Sequence, residues 1–339
     1  MSLALARIYR PSTFDTVLGQ GSTVKILKQQ IEKKTFGNCY LFAGSSGCGK
    51  TTLARIFANE INNGKGTPIE IDGASNNGVD AVRAIVESAN QRSLDSEYKV
   101  FIIDECHSIT SQAWQAFLKC LEEPPKYTIF MFCTTNPEKI PETINNRLIR
   151  FNITKVATDL IKDRLDYICS QNNYLNYKEA CDYISKIADG SVRSAITYLE
   201  KCVNYNTDLS IDNVLSCLGN FSYFKFFDLV NHLINGDEKN TLLLLGEFNN
   251  SGNDMKLFIE QFLDFVLDLN KFCLFEDVSL TKIPSSMLKE LKFTVNIEGA
   301  IRYFNYLLDR VMNIKNTIKY DTNMRTTIEV MFINICRGV

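Results

Sequence analysis

Residues 44–52 read Gly-Ser-Ser-Gly-Cys-Gly-Lys-Thr-Thr, preceded by the apolar run "CYLFA" (39–43) and followed by "LARIFANEI" (53–61). Gly44-x-x-x-x-Gly49-Lys50-Thr51 between a strand-like and a helix-like segment is the pattern of a phosphate-binding loop. Glycines let successive backbone N–H groups wrap an anion, and the N-terminus of the following helix adds partial positive charge. In this pattern Lys50 reaches the terminal phosphates and Thr51 offers a hydroxyl to Mg²⁺. Gly44, Ser45, Ser46, Gly47, Cys48, Gly49, Lys50, Thr51 and Thr52 are therefore expected to hold a nucleotide, with the Cys48 side chain turned away from it.

Outward from this loop, residues 38 to about 153 alternate β-rich and helical stretches. "IEID", "YKVFIID", "YTIFMFCTT" and "RLIRFNI" are separated by "VDAVRAIVESAN" and "SQAWQAFLKCLEE". Strands as uniformly apolar as "VFIID" suit a parallel sheet covered on both faces, so an α/β fold is expected. Beyond Ile153 apolar residues recur every three to four positions, as in "ATDLIKDRLDYICSQ", "YKEACDYISKIADG" and "SVRSAITYLEKCV". Gly190 is expected to close one of these helices and Ser191 to cap the next. A polar break over 204–210 separates this small helical region from a second one. Three domains follow: 1–153 nucleotide-binding, 154–207 a helical lid and 208–339 all-helical.

The second half of the site is "VFIIDECH" (100–107), where Asp104 ends a strand and is expected to complete a Mg²⁺ shell. Glu105 is the candidate for orienting or deprotonating an attacking water. His107 is either a polar residue near the metal or an ordinary surface histidine. Arg147, before the last strand, is either a solvated surface residue or an arginine offered to a neighbouring subunit's nucleotide. Arg193, near the start of a helix, either meets the phosphates from above or forms a surface ion pair.

The chain has 339 residues, 45% hydrophobic and 22% charged, with a formal net charge of -2. That balance excludes a disordered chain and gives no general affinity for nucleic acid, so any such binding needs a local basic face. Eleven cysteines without paired spacing read as mostly buried free thiols in a reducing compartment. No apolar run reaches a membrane span and no signal-type leader is evident, so a cytoplasmic location, the bacterial cytosol or a phage-infected cell, is expected.

Taken together, these pieces resemble the AAA+ clamp-loader ATPases, most closely the gamma/tau branch of bacterial DNA polymerase III. The resemblance spans roughly residues 4–205 and rests on "ARIYRPSTFDTVLGQ", "GSSGCGKTTLARIFA", "EIDGASNNGVDAVR", "VFIIDECH", "LKCLEEPP", "TTNPEKIPETINNRL" and "ADGSVRSAITYLEK". It implies ATP and Mg²⁺ as ligands, a helical lid, and a collar domain that assembles subunits into a pentameric ring. Arg7, Tyr9, Arg10 and Pro11 match the segment along the adenine, followed by Val17 and Leu18. Thr135 matches the first sensor, Arg193 the second, and Arg147 the finger acting in trans. Asn146-Arg147-Leu148 stands where the family usually has Ser-Arg-Cys.

The resemblance also implies DNA-backbone contact for Asn76, Asn77, Gly78 and Arg83, although Arg83 is equally suited to a helix-face ion pair with Asp80 or Glu87. The implied partners are other loader subunits, a sliding clamp, primer-template DNA and a DNA polymerase, with no membrane. Clamp contact is implied around 108–126, including Trp114, Phe117 and Leu118, where an apolar helix face is alternatively core. The four-cysteine zinc module usual in the family is replaced by "NEINNGKGTP", and no long C-terminal extension follows, so the chain is expected to resemble compact loaders from phages or the small subunits of archaeal and eukaryotic loaders. Another AAA+ ATPase of DNA repair or helicase loading, a non-hydrolysing loader subunit and a metabolic kinase are the competing readings.

Overall fold

The computed structural model describes residues 4–218, 223–250, 254–321 and 323–338; the expected domain limits at residues 1 and 339 lie outside the described residues. The chain divides into two compact units, Met1–Ile168 with Ala188–Thr197, and Cys169–Ile187 with Tyr198–Val339.

The first unit begins with helices α1 (Leu5–Ile8) and α2 (Gly21–Glu32). It continues β1 (Cys39–Gly44), α3 (Lys50–Ile61), β2 (Ile69–Asp72), α4 (Val79–Ala89), β3 (Lys99–Asp104), α5 (Ser111–Glu122), β4 (Thr128–Thr134), α6 (Glu142–Asn145) and β5 (Ile149–Ile153). All five strands are parallel, in the order β2-β3-β4-β1-β5.

The strand period of two divides the central strands between two cores. Leu41, Phe101, Phe130 and Phe132 face Val82, Ile85, Trp114 and Phe117 of α4 and α5. Tyr40, Phe42, Ile102 and Met131 face Leu27, Leu53 and Phe57 of α2 and α3. With both faces covered, no polar alternation survives in β1, β3 or β4, as the sequence pattern predicts. Complete burial of a phenylalanine such as Phe117 or Phe132 contributes about 1.5–3 kcal/mol. Trp114 and Phe117 are thus core residues and not an accessible surface, which corrects the implied contact face; Leu118 is only partly buried against the same core.

Helix α2 was outside the expected alternation. Its Val24, Leu27 and Ile31 recur at three- and four-residue spacing and pack on the β1 face, so tertiary burial stabilises a segment whose polar residues dominate its composition.

Three helices follow, α7 (Thr158–Gln171), α8 (Tyr177–Ile187) and α9 (Val192–Tyr205), and Ser191 Oγ accepts from Ser194 N–H at 3.2 Å in the expected capping position. The remainder is helical, with α10 (Ile211–Leu218), α11 (Tyr223–Ile234), α12 (Glu238–Asn250), α13 (Met255–Phe275), α14 (Leu288–Val295), α15 (Ala300–Thr317) and α16 (Met324–Cys336). Within the second unit aromatic rings dominate the core, with Phe227 and Phe265 4.9 Å and Phe248 and Phe258 4.6 Å apart. Asp268 is 2% exposed there. Burial pushes its carboxyl upward, offset by the Lys282 main-chain N–H and the Lys271 ammonium. Among the described residues no helix is long and apolar enough to cross a membrane.

Candidate active site

The site forms at the carboxyl ends of β1, β3 and β4, where open parallel sheets gather loops. Gly44 ends β1 opposite Ile153 of β5. A Cβ there would lie 2.1 Å from the Ile153 carbonyl oxygen, so the first glycine is required by strand packing. The loop then delivers Lys50 as the first residue of α3. Its ammonium, 6% exposed as a residue, donates to the carbonyls of Gly44 and Ser45, both at 3.0 Å. Thr51 Oγ1 donates to Asp104 Oδ2 at 2.7 Å, which joins the P-loop hydroxyl to the β3 carboxylate.

Glu105 follows in left-handed backbone, φ 46°, a conformation that costs a non-glycine residue about 1–2 kcal/mol. Its N–H donates to Asp104 Oδ1 at 3.0 Å and its Oε2 accepts from Thr135 Oγ1 at 3.2 Å. His107 Nδ1 stands 3.3 Å from the same oxygen and 3.1 Å from Thr134 Oγ1.

A cleft of about 740 Å³ opens onto this cluster. It brings together Arg7, Tyr9, Arg10, Pro11, Val17, Leu18, the loop residues Ser46 to Thr52, Asp104, Glu105 and Arg193. Its volume is that of a small-molecule site. Positive charge concentrates here. Arg10 Nε donates to Thr52 Oγ1 at 3.1 Å, and its guanidinium is pushed below the usual range by burial first, then by Arg55 and Arg193. Arg55 pairs with Glu70 at 2.5 Å and keeps a buried Nε without a hydrogen-bond partner. Mutually repelling guanidiniums in a partly desolvated cleft are the electrostatic counterpart of a polyanion.

Arg193 N–H approaches the Gly47 carbonyl at 3.4 Å. Gly47 has φ 74°, and a Cβ on it would lie 2.1 Å from Ser191 Oγ, so only glycine lets the start of α9 close on the loop. Cys48 Sγ points to the Gly190 carbonyl at 3.6 Å, and burial pushes its thiol up.

Six residues lining the cleft escaped the sequence reading, the apolar Ala4, Ala6, Val192 and Ile196 and the charged Arg55 and Arg164. Arg164 Nη2 donates to the Tyr9 carbonyl at 2.8 Å and lies 5.9 Å over the Tyr9 ring. Its spacing within α7 is that of any solvated helix face.

Other expected residues lie apart. Arg147 hydrogen-bonds the Thr143 carbonyl and pairs with Glu122. Asn76 binds the Asp72 carbonyl through both its N–H and Nδ2, Asn77 accepts from Thr110 N–H, and Gly78 precedes α4. Arg83 stands 3.5 Å from Asp80, both highly exposed, which is the helix-face alternative.

Comparison with known proteins gives this geometry a lineage. The chain is 30% identical to DNA polymerase III subunit gamma of Buchnera aphidicola subsp. Acyrthosiphon pisum, over 78% of its own length and 80% of that protein. It belongs to the DNA polymerase III gamma/tau family. Within the family it is also 30% identical to subunit tau of Bacillus subtilis, covering 98% of this chain and 63% of tau. With gamma/tau of Mycoplasma genitalium it shares 31% identity over 84% of this chain and 52% of the relative. The chain thus spans a little over half the length of these last two relatives. Residues 67–157 match the family model described as DNA polymerase III, delta subunit.

In architecture, RuvB of Thermotoga maritima, titled a Holliday junction branch migration motor, superposes with a TM-score of 0.52 at 21% identity, over 67% of this chain and 79% of RuvB. The chain therefore shares that α/β fold, a parallel sheet followed by helical regions.

Proposed function

We propose that this chain is an ATP-hydrolysing motor of a sliding-clamp loader in DNA replication. The reading is carried by one observation, the convergence at one sheet end of the Lys50 loop, the Thr51–Asp104 oxygen pair and Glu105. A hydroxyl and a carboxylate at 2.7 Å are hard oxygen donors of the kind Mg²⁺ selects. Thr51 and Asp104 would hold the ion, which when bound neutralises charge on the terminal phosphates.

Each side chain then has a task. Lys50, Arg10 and Arg193 bind the triphosphate, and closure of α9 on Gly47 brings Arg193 to it. Arg7, Tyr9, Pro11, Val17 and Leu18 enclose the base; Arg10, which the resemblance also puts along the adenine, is assigned to the phosphates because its Nε donates to Thr52 Oγ1 of the loop. Glu105 orients the attacking water and accepts its proton, while Thr135 holds the carboxylate. Arg147 leaves Glu122 and stabilises transition-state charge on a neighbouring subunit's nucleotide, so that turnover depends on assembly. Asn76, Asn77, Gly78 and Arg83 face the DNA backbone. Residues 154–207 act as the lid and 208–339 as the collar of a pentameric ring, in the cytoplasm, with clamp, primer-template DNA and polymerase as partners.

Reconstitution with loader subunits, clamp and primed DNA tests the reading. ATP turnover is expected to rise with clamp and DNA together, and Lys50→Ala is expected to lose nucleotide binding. Glu105→Gln should bind ATP normally and lose turnover by about 10²-fold or more. Turnover indifferent to the clamp would assign the chain to another DNA-directed AAA+ ATPase. Normal turnover in Glu105→Gln would remove the general base.

A further inference from the structure

We infer that His107 is a positioning residue that fixes the Glu105 carboxylate, an inference that rests on the hydrolytic reading above. Two contacts converge on one carboxylate oxygen. Thr135 Oγ1 donates to Glu105 Oε2 at 3.2 Å, and His107 Nδ1 lies 3.3 Å from that same atom. Among the described residues no hydrogen bond reaches Oε1, which leaves that oxygen for a water in the cleft that Glu105 lines.

The imidazole is itself held. Its side chain is 16% exposed, and Nδ1 also meets Thr134 Oγ1 at 3.1 Å. Thr134 is fully buried and accepts from Asn136 N–H at 3.0 Å. Nδ1 makes its hydrogen bond to Thr134 Oγ1, and that bond turns the ring so that Nδ1 stands 3.3 Å from Oε2 as a close polar contact. The backbone explains the delivery. The left-handed turn at Glu105 reverses the chain into a 3₁₀ turn over Cys106–Ser108, anchored by fully buried Cys106 and by the Ser108 N–H to the Glu105 carbonyl at 3.0 Å. One rigid turn therefore carries both the carboxylate and the ring that steadies it.

Steady-state turnover and fluorescent-nucleotide binding in the reconstituted loader test this. His107→Ala is expected to lower kcat about ten- to a hundredfold, as a misplaced reacting group does, with KM and nucleotide Kd within about twofold. His107→Asn, which keeps an N–H donor, recovers most of the loss. In single turnovers, His107→Ala adds nothing to Glu105→Gln. An unchanged kcat, a loss appearing in nucleotide binding instead, or full additivity with Glu105→Gln overturns the proposal.

Should His107→Ala not fold, the Nδ1 resonance in histidine-labelled protein carries the test, since the chain has only two histidines. Glu105→Gln should move the His107 signal and leave His232 in place; an unmoved signal overturns the contact. That readout needs no turnover, so a chain that does not hydrolyse ATP would sink the hydrolytic reading separately.

Discussion

Two regions of the first unit treat positive charge in opposite ways. In the cleft, Arg10, Arg55 and Arg193 crowd the loop that carries Lys50, and burial first, then repulsion from Arg55 and Arg193, depresses the Arg10 guanidinium. At the β5 edge, Arg147 is closed off by Glu122 and the Thr143 carbonyl. The cleft is electrostatically unfinished and asks for an anion. The edge is finished within the chain, so the role proposed for Arg147 requires a partner to compete with Glu122. The contrast teaches that, if Arg147 serves a neighbour as proposed, its partners within the chain hide that role.

The largest effect expected follows from that contrast. Arg147→Ala should reduce ATP turnover of the assembled loader by about 10³-fold. Nucleotide affinity of the isolated chain, measured by fluorescence titration, should not change, because Arg147 lies outside the cleft. An isolated chain that hydrolyses ATP as fast as the assembly would erase the distinction between the two regions.

A smaller effect sharpens the cleft side. Gly47→Ala places a Cβ against Ser191 Oγ in left-handed backbone. The conformational penalty alone is about 1–2 kcal/mol, or roughly tenfold in nucleotide affinity by titration. Replacing Ser191 with Gly in the same chain should relieve the contact and leave the backbone penalty. Full recovery would mean that the clash, and not φ, dominates.

The legible parts of the molecule were those whose pattern is local. The phosphate loop, the doubly buried strands and the Ser191 cap are fixed by residues within a few positions of one another. The cleft's remaining members are not. Arg164 reaches Tyr9 across 155 positions, and Arg55 is brought to Arg10 by the packing of α3, so neither spacing distinguishes them from surface charges. Trp114 and Phe117 repeat at an interval that suits a contact stripe or a core; the sheet face covered by α5 decides for the core. From the sequence His107 is open between metal neighbour and surface, and the turn after Asp104 sets it, 16% exposed, against Glu105. Helix α2 is readable from its spacing, but its few apolar side chains are diluted by lysine and glutamine.

The smallest effect bears hardest on the edge. Arg147 and Glu122 are 33% and 49% exposed, so solvent screens their pair, and Glu122→Gln should change stability by less than about 1 kcal/mol in denaturant unfolding. If the pair only steadies the edge, Glu122→Gln and Arg147→Ala should cost similar small amounts and neither should touch turnover. If Arg147 serves a neighbour, Glu122 is its competitor, and removing the carboxylate frees the guanidinium. Assembly-dependent turnover should then hold or rise, by no more than about fivefold, the Boltzmann factor of a 1 kcal/mol surface pair. The two substitutions would thus move activity in opposite directions while moving stability in the same one.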